Sequence, residues 1–84
     1  MEHLSGVVER ITYFSEESGY AVIKLKSKGY YDLITVVGNM AAVHVGSIVS
    51  LRGEWKIDSR YGKQFVVNSY EERLPATVTG IEKY

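Results

Sequence analysis

The chain has 84 residues, of which 45% are apolar, with no cysteine and a formal net charge of zero. This length allows one small domain with one core, and without cysteine neither a disulfide nor a thiolate metal site can reinforce it. The zero charge argues against a strongly basic nucleic-acid binder, and every apolar run is too short for a membrane span.

Two strands are predicted in the first third of the chain. Residues 4–14 are rich in β-branched and aromatic residues, and their imperfect alternation predicts a strand with a bend or bulge near Gly6. A polar loop at 15–19 leads to a second strand at 20–26. Its strict alternation places one apolar face inward. The outward face of this strand carries Tyr20, Val22, Lys24 and Lys26.

Three more strands are predicted further along. Residues 31–38 form a third strand, so continuously apolar that both faces are expected to be covered. Residues 39–46 are expected to be a short connector. Residues 47–57 alternate most clearly and form a fourth strand, and a hairpin turn at 58–62 leads to a fifth strand at 63–71.

The last eleven residues differ from the rest. Pro75 suits a first helical turn, and Leu74, Val78 and Ile81 follow at helical spacing, so they form an apolar stripe. Two turns cannot bury such a stripe alone. We therefore expect a barrel domain over 1–73, a junction and first helical turns over 74–84, and a longer parent protein with an absent helical domain.

Five strands with glycines at the bends predict an all-β fold, a small five-stranded Greek-key barrel of the OB type. Closure removes the exposed edges that so many strands would otherwise leave. An SH3-like barrel is the alternative.

Catalytic motifs are absent from the sequence. Gly62-Lys63 lacks the rest of a phosphate-binding loop, and His3 and His44 stand without metal-ligand spacing. No nucleophile elbow occurs, and the adjacent glutamates at 16–17 and 71–72 are expected to be solvated charges. We predict no catalytic residue, no metal and no cofactor in this chain.

The basic residues suggest a binding surface instead. Seven of the ten lysines and arginines, but three of the ten acids, fall within residues 18–64. Single-stranded nucleic acid binds to sheets by stacking bases on aromatic rings while Lys and Arg follow the phosphates. The candidate contacts are Tyr20, Lys24, Lys26, Arg52, Arg60, Tyr61 and Lys63.

A structural role is the alternative for these residues, because tyrosines commonly pack on half-buried strands and surface lysines protect strand edges. Trp55 is expected inward, as a core residue rather than a stacking platform. The sequence leaves the roles of Tyr30 and Tyr31 open.

Several segments, in order, resemble the amino-terminal region of RecD-like ATP-dependent DNA helicases, the long bacterial form that acts without RecBC. The resemblance covers essentially the whole chain. It is carried by 4–14, Glu17–Tyr20, Thr35–Asn39, Gly53–Trp55, Tyr61–Phe65, Ser69–Glu71, Leu74–Thr77 and Gly80-Ile81.

The resemblance implies an OB domain followed by a helical region, two RecA-like motor domains and an SH3-like insertion. It implies a parent that hydrolyses ATP, with Mg²⁺, to move 5′ to 3′ along single-stranded DNA in repair or recombination. None of those catalytic motifs lies in this chain.

The leading hypothesis is therefore a non-catalytic OB module that contacts single-stranded DNA. Its rival is an interdomain or protein-interaction scaffold, and a free-standing OB protein is the third possibility. We expect a cytoplasmic, monomeric domain whose partners are single-stranded DNA and the helical and motor domains of its own chain, with no membrane contact.

Overall fold

The computed structural model describes residues 1–41, 43–60 and 62–73. Five strands make up most of these residues: β1 (Glu2–Phe14), β2 (Tyr20–Lys26), β3 (Ile34–Asn39), β4 (Ile48–Asp58) and β5 (Gly62–Arg73). Within the described ranges, no helix is long and apolar enough to cross a membrane. The junction predicted over 74–84 lies outside the described residues.

The strands close into a barrel in the order β1-β2-β3-β5-β4. β3 and β5 pair in parallel, and the other neighbours are antiparallel. The predicted five-stranded OB barrel is confirmed.

Strand β1 is long because it pairs with two neighbouring strands, one after the other. Its first half, Glu2 to Val7, pairs with β4, and its second half, Val7 to Phe14, pairs with β2. At this switch Gly6 lies so close to β2 that a Cβ atom would collide with the carbonyl group of Lys26. The glycine therefore permits the close approach that lets one strand belong to both sides of the barrel.

The irregularity predicted near Gly6 lies further along β1. The register shifts between Val8 and Arg10 and again between Ile11 and Tyr13. Each shift resets the alternation of side chains along the strand.

Strand β3 begins at Ile34, three residues later than predicted, because the chain before it is still turning. The amide of Tyr30 donates to the carbonyl of Ser27 at 3.1 Å. The prediction that both faces of β3 are covered is confirmed, since Val36 and Val37 point to opposite faces and both are buried.

The core lies inside the barrel and consists of alternating residues from all five strands. Ile23, Leu25, Leu51 and Phe65 are among its fully buried side chains. The connector before β4 contributes Met40, which is also fully buried. Burial of these apolar groups is the main stabilising contribution in a chain without disulfides.

The polar side chains that the barrel buries are hydrogen-bonded. Ser27 Oγ donates to the carbonyl of Ser5 at 2.5 Å, and Ser47 Oγ donates to Glu72 Oε2 at 2.5 Å. In the described part of the chain, no buried side-chain polar atom lacks a partner.

Near its end, β5 is tied to the connector before β4 through Glu72. Oε2 of Glu72 also accepts from the backbone amide of His44 at 2.9 Å and lies 3.0 Å from His44 Nδ1. We call His44, Ser47 and Glu72 the exit clamp, because Glu72 lies one residue before the end of β5.

Candidate nucleic-acid interface

A wide groove crosses the outer faces of β2 and β3 and extends onto β1 and β5. Its volume is about 660 Å³. Val22 and Val37 form its apolar floor. We call this the main groove, and its lining residues are Thr12, Tyr13, Tyr20, Val22, Lys24, Thr35, Val37, Asp58 and Gln64.

Two exposed tyrosines stand at one end of the main groove. Tyr13 comes from the end of β1 and Tyr20 from the start of β2, and their ring centroids lie 6.4 Å apart with planes tilted by 60°. The loop between them is held by hydrogen bonds from the amide of Ser15 to the Tyr20 carbonyl at 2.9 Å and from the amide of Gly19 to the Ser15 carbonyl at 2.8 Å. The two rings therefore stand on an ordered loop.

Lys24 occupies the middle of the groove as a half-buried cation. Its ammonium donates to Thr35 Oγ1 at 2.7 Å. An ammonium has three N–H donors, so this one bond positions Lys24 and leaves it able to donate to an anionic ligand. Packing of its stem against the sheet favours an ammonium held at the groove surface.

The strand register places Lys24 at one end of a row of polar residues that crosses four strands. Lys24 pairs with Thr35, Thr35 with Gln64, and Gln64 with Lys56. Paired residues share a face of the sheet, so a lysine stands at each end of the row. Neighbouring strands lie about 4.8 Å apart, which separates the two lysines by roughly 14 Å along the sheet.

Asp58 brings a negative charge to the rim of the main groove. Its Oδ2 accepts from the backbone amide of Arg60 at 3.0 Å within the β4–β5 hairpin. Asp58 is the acidic residue among those that line the main groove.

A second cavity lies where β3 begins, between the β2–β3 turn and the β4–β5 hairpin. We call it the end cavity, and its volume is about 360 Å³. Thr35 lines both this cavity and the main groove, so the two are neighbours at that residue. The other lining residues are Tyr30, Tyr31, Asp32, Leu33, Ile34, Trp55 and Lys63.

Trp55 is the centre of the end cavity. As predicted, it faces inward, and its ring meets Phe65 edge-on at 5.1 Å. It is only half-buried, and Tyr30 lies against it at 6.1 Å between ring centroids. The ammonium of Lys63 lies 4.6 Å from the centroid of the indole ring, within the range of a cation–π interaction.

The predicted contact residues are distributed over different parts of the surface. Tyr20 and Lys24 lie together in the main groove, and Lys63 lies in the end cavity. Lys26 is exposed on β2 beyond the groove lining, opposite Val7 of β1. Arg60 is exposed at the tip of the β4–β5 hairpin, and Tyr61 lies outside the described residues.

Arg52 is placed apart from the other candidates. It lines a shallow depression formed by β4 and β5 with Ser50, Tyr70 and Glu71. Asp58 of the same strand lines the main groove, and Arg52 lies six residues before it, roughly 20 Å away at about 3.3 Å per residue.

Several groove residues were not predicted from the sequence. Tyr13 enters the groove after two register shifts in β1. The imperfect alternation of this strand predicted an irregularity, but near Gly6 and not at these positions. Thr35 and Gln64 meet through the parallel pairing of β3 with β5, a contact between distant parts of the chain. The alignment of Lys56 with Lys24 depends on the same pairing.

In the described ranges, no three His, Asp or Glu side chains lie close enough to share a metal ion. The main groove offers an apolar floor, two exposed rings and one positioned cation.

Comparison with known proteins identifies the family. No curated protein gives a significant match to the chain. A family model described as the OB-fold domain of the ATP-dependent DNA helicase YrrC matches residues 1–75. Because that match covers most of the chain, the chain belongs to this family and is an OB-fold accessory domain of a DNA helicase.

Proposed function

We propose that this domain contacts single-stranded DNA through the main groove, as a non-catalytic part of a 5′–3′ DNA helicase of the RecD-like type that acts in repair or recombination. ATP hydrolysis, with Mg²⁺, belongs to motor domains elsewhere in the parent protein. The domain helps to hold or guide the strand.

One observation carries the proposal: exposed aromatic rings and a positioned lysine share an apolar groove. Tyr13 and Tyr20 offer ring surface at one end, and Lys24 is held by Thr35 in the middle. Stacked bases and a phosphate backbone need these groups side by side. The strand β2–β3 face is also where OB folds bind oligonucleotides.

The test is a titration of the chain with fluorescently labelled oligothymidine at low and moderate salt, followed by anisotropy. Tyr20→Ala removes a stacking ring and should weaken binding by about fivefold to about a hundredfold. Tyr20→Phe keeps the ring and should bind like the wild type.

Lys24→Gln and Arg52→Gln form a matched pair that each remove one positive charge. Lys24→Gln should weaken binding, whereas Arg52→Gln should have little effect because Arg52 lies outside the main groove. Absence of saturable binding by the wild type at low salt would contradict the proposal.

A scaffold that packs against another part of the parent protein is the second candidate function. Val7 and Ile48 pair across β1 and β4, and both remain exposed on the outer face. Ile48 also pairs with Arg73 at the point where the chain leaves the barrel. This apolar pair is well placed to meet a following domain, and it is independent of the main groove.

A further inference from the structure

The β2–β3 turn exposes an unusual amount of apolar and aromatic surface. The side chain of Tyr31 is fully exposed, and those of Tyr30 and Leu33 are 47% and 40% exposed. Clustered exposed apolar groups on a small soluble domain mark an interaction site more often than isolated ones do. The main groove does not account for this cluster.

The rings below the turn form a fixed base for it. Trp55 is anchored edge-on to Phe65, a fully buried core residue, and Tyr30 leans on Trp55 with their planes 34° apart. Tyr31 follows Tyr30 directly in the chain, so its exposed ring projects from a turn that the barrel core supports. The full exposure of the Tyr31 ring leaves its face accessible to a flat ligand.

Lys63 supplies the positive charge of this cavity. Its ammonium is held at 4.6 Å from the centre of the Trp55 ring, an interaction that leaves its N–H donors available for an anion. Asp32 is the acid that lines the same cavity, and Lys28 lies in the same turn. Among these three side chains the balance is one positive charge.

The main groove and the end cavity are neighbours along β3. Thr35 lines both the main groove and the end cavity. Tyr20 pairs with Asn39 near the far end of β3, and the end cavity begins at Ile34. Five residue steps at about 3.3 Å each separate these levels by roughly 17 Å. A polymer with a ring at each repeat can occupy both sites, whereas a small molecule fills one.

We infer that the end cavity is a second nucleobase site, in which Tyr31 stacks on a base and Lys63 contacts an adjacent phosphate of the same single strand that occupies the main groove. This inference rests on the proposed function. It lengthens the stretch of single-stranded DNA that the domain contacts, beyond Thr35. It also assigns a binding role to Tyr31, Tyr30 and Trp55.

The test compares Tyr31→Leu, Tyr31→Phe and Lys63→Gln in the complete chain, because Tyr31 is exposed and its substitution leaves the core intact. The probes are a labelled oligothymidine of about 16 nucleotides, the upper range for one OB fold, and an abasic oligomer of the same length. Both carry the same phosphates, but only the first has bases.

Tyr31→Leu should weaken oligothymidine binding by about fivefold to about a hundredfold and leave binding of the abasic oligomer unchanged. Tyr31→Phe should match the wild type with both probes. Lys63→Gln should weaken both probes, because phosphate contact does not depend on bases.

Two results would overturn the inference, and they differ in what they say about the main groove. If Tyr31→Leu binds oligothymidine like the wild type while Tyr20→Ala is weakened, the end cavity takes no base and the main groove still binds DNA. If the wild type binds neither probe at low salt, both proposals fail and the exposed tyrosines are better explained by contact with protein.

Discussion

Glu72 is a carboxylate whose surroundings favour its charged form. Burial acts to raise the pKa of Glu72, but hydrogen bonds from Ser47 and His44 outweigh it, so the pKa lies below its ordinary value. A carboxylate with a lowered pKa stabilises the folded state above its ordinary pKa. That contribution is lost as the pH falls through the lowered value.

Glu72→Gln should therefore lower the free energy of unfolding at neutral pH by about 1–2 kcal/mol, because Ser47 and His44 lose a charged acceptor. The difference from the wild type should shrink as the pH falls through the lowered pKa of Glu72, where the wild-type carboxyl group also becomes neutral. Urea unfolding at a series of pH values measures both effects.

Glu71→Gln is the matched control, because Glu71 is the adjacent carboxylate and its side chain is exposed. Its stability should follow the wild-type pH dependence. An equal loss in both variants would show that the exit clamp contributes nothing specific.

At the scale of a single element, β1 depends on one glycine. The strand leaves β4 and joins β2 around Val7, and Gly6 makes its close contact with the Lys26 carbonyl at this switch. The obstacle is backbone, which cannot move aside as a flexible side chain can.

Gly6→Ala should destabilise the barrel by about 1–3 kcal/mol, the usual cost of forcing extra volume into a packed site. Chemical denaturation followed by Trp55 fluorescence measures this change. Ser5→Ala, at the neighbouring position with an exposed side chain, should change stability by less than about 0.5 kcal/mol. Equal stability of the two variants would contradict the role assigned to Gly6.

Most of the strands were predictable from the sequence because one of their faces is buried and the other is exposed. β2 and β4 alternate cleanly, and their inward residues, such as Ile23 and Leu51, are fully buried. β1 was less predictable, because its two register shifts move Tyr13 relative to a regular strand. The start of β3 was predicted too early, because the apolar residues of the β2–β3 turn resemble those of a strand.

The candidate site was only partly predictable for a related reason. Tyr20 and Lys24 share one strand, so the alternation of β2 brings them together. Arg52 was grouped with them as a basic residue of the central segment, and it lies elsewhere because it stands six residues along β4 from Asp58, the residue of that strand that lines the groove. The Thr35–Gln64 contact comes from parallel pairing between distant segments, which no local pattern encodes.

At the scale of the whole molecule, the net charge is zero. The salt dependence of DNA binding should therefore come from the few lysines near the proposed site. The groove and the end cavity bring Lys24, Lys56 and Lys63 near the proposed strand path. Three phosphate contacts with single-stranded DNA predict a slope of about −2 when the logarithm of the association constant is plotted against that of salt concentration.

Anisotropy titrations across a salt series measure this slope, and Lys24→Gln should make it shallower by about 0.7. A slope near zero would contradict phosphate contact. A slope much steeper than −2 would mean that basic residues outside the groove, such as Arg52, also take part.

Strand β5 carries Lys63 at its beginning and Glu72 near its end, so one strand connects the end cavity to the exit clamp. Its ladder with β4 contains eleven residue pairs. A load along the length of β5 would shear these pairs together, whereas a sideways load would open them one after another. The two ends of β5 are therefore coupled by a ladder that resists a lengthwise pull better than a sideways one.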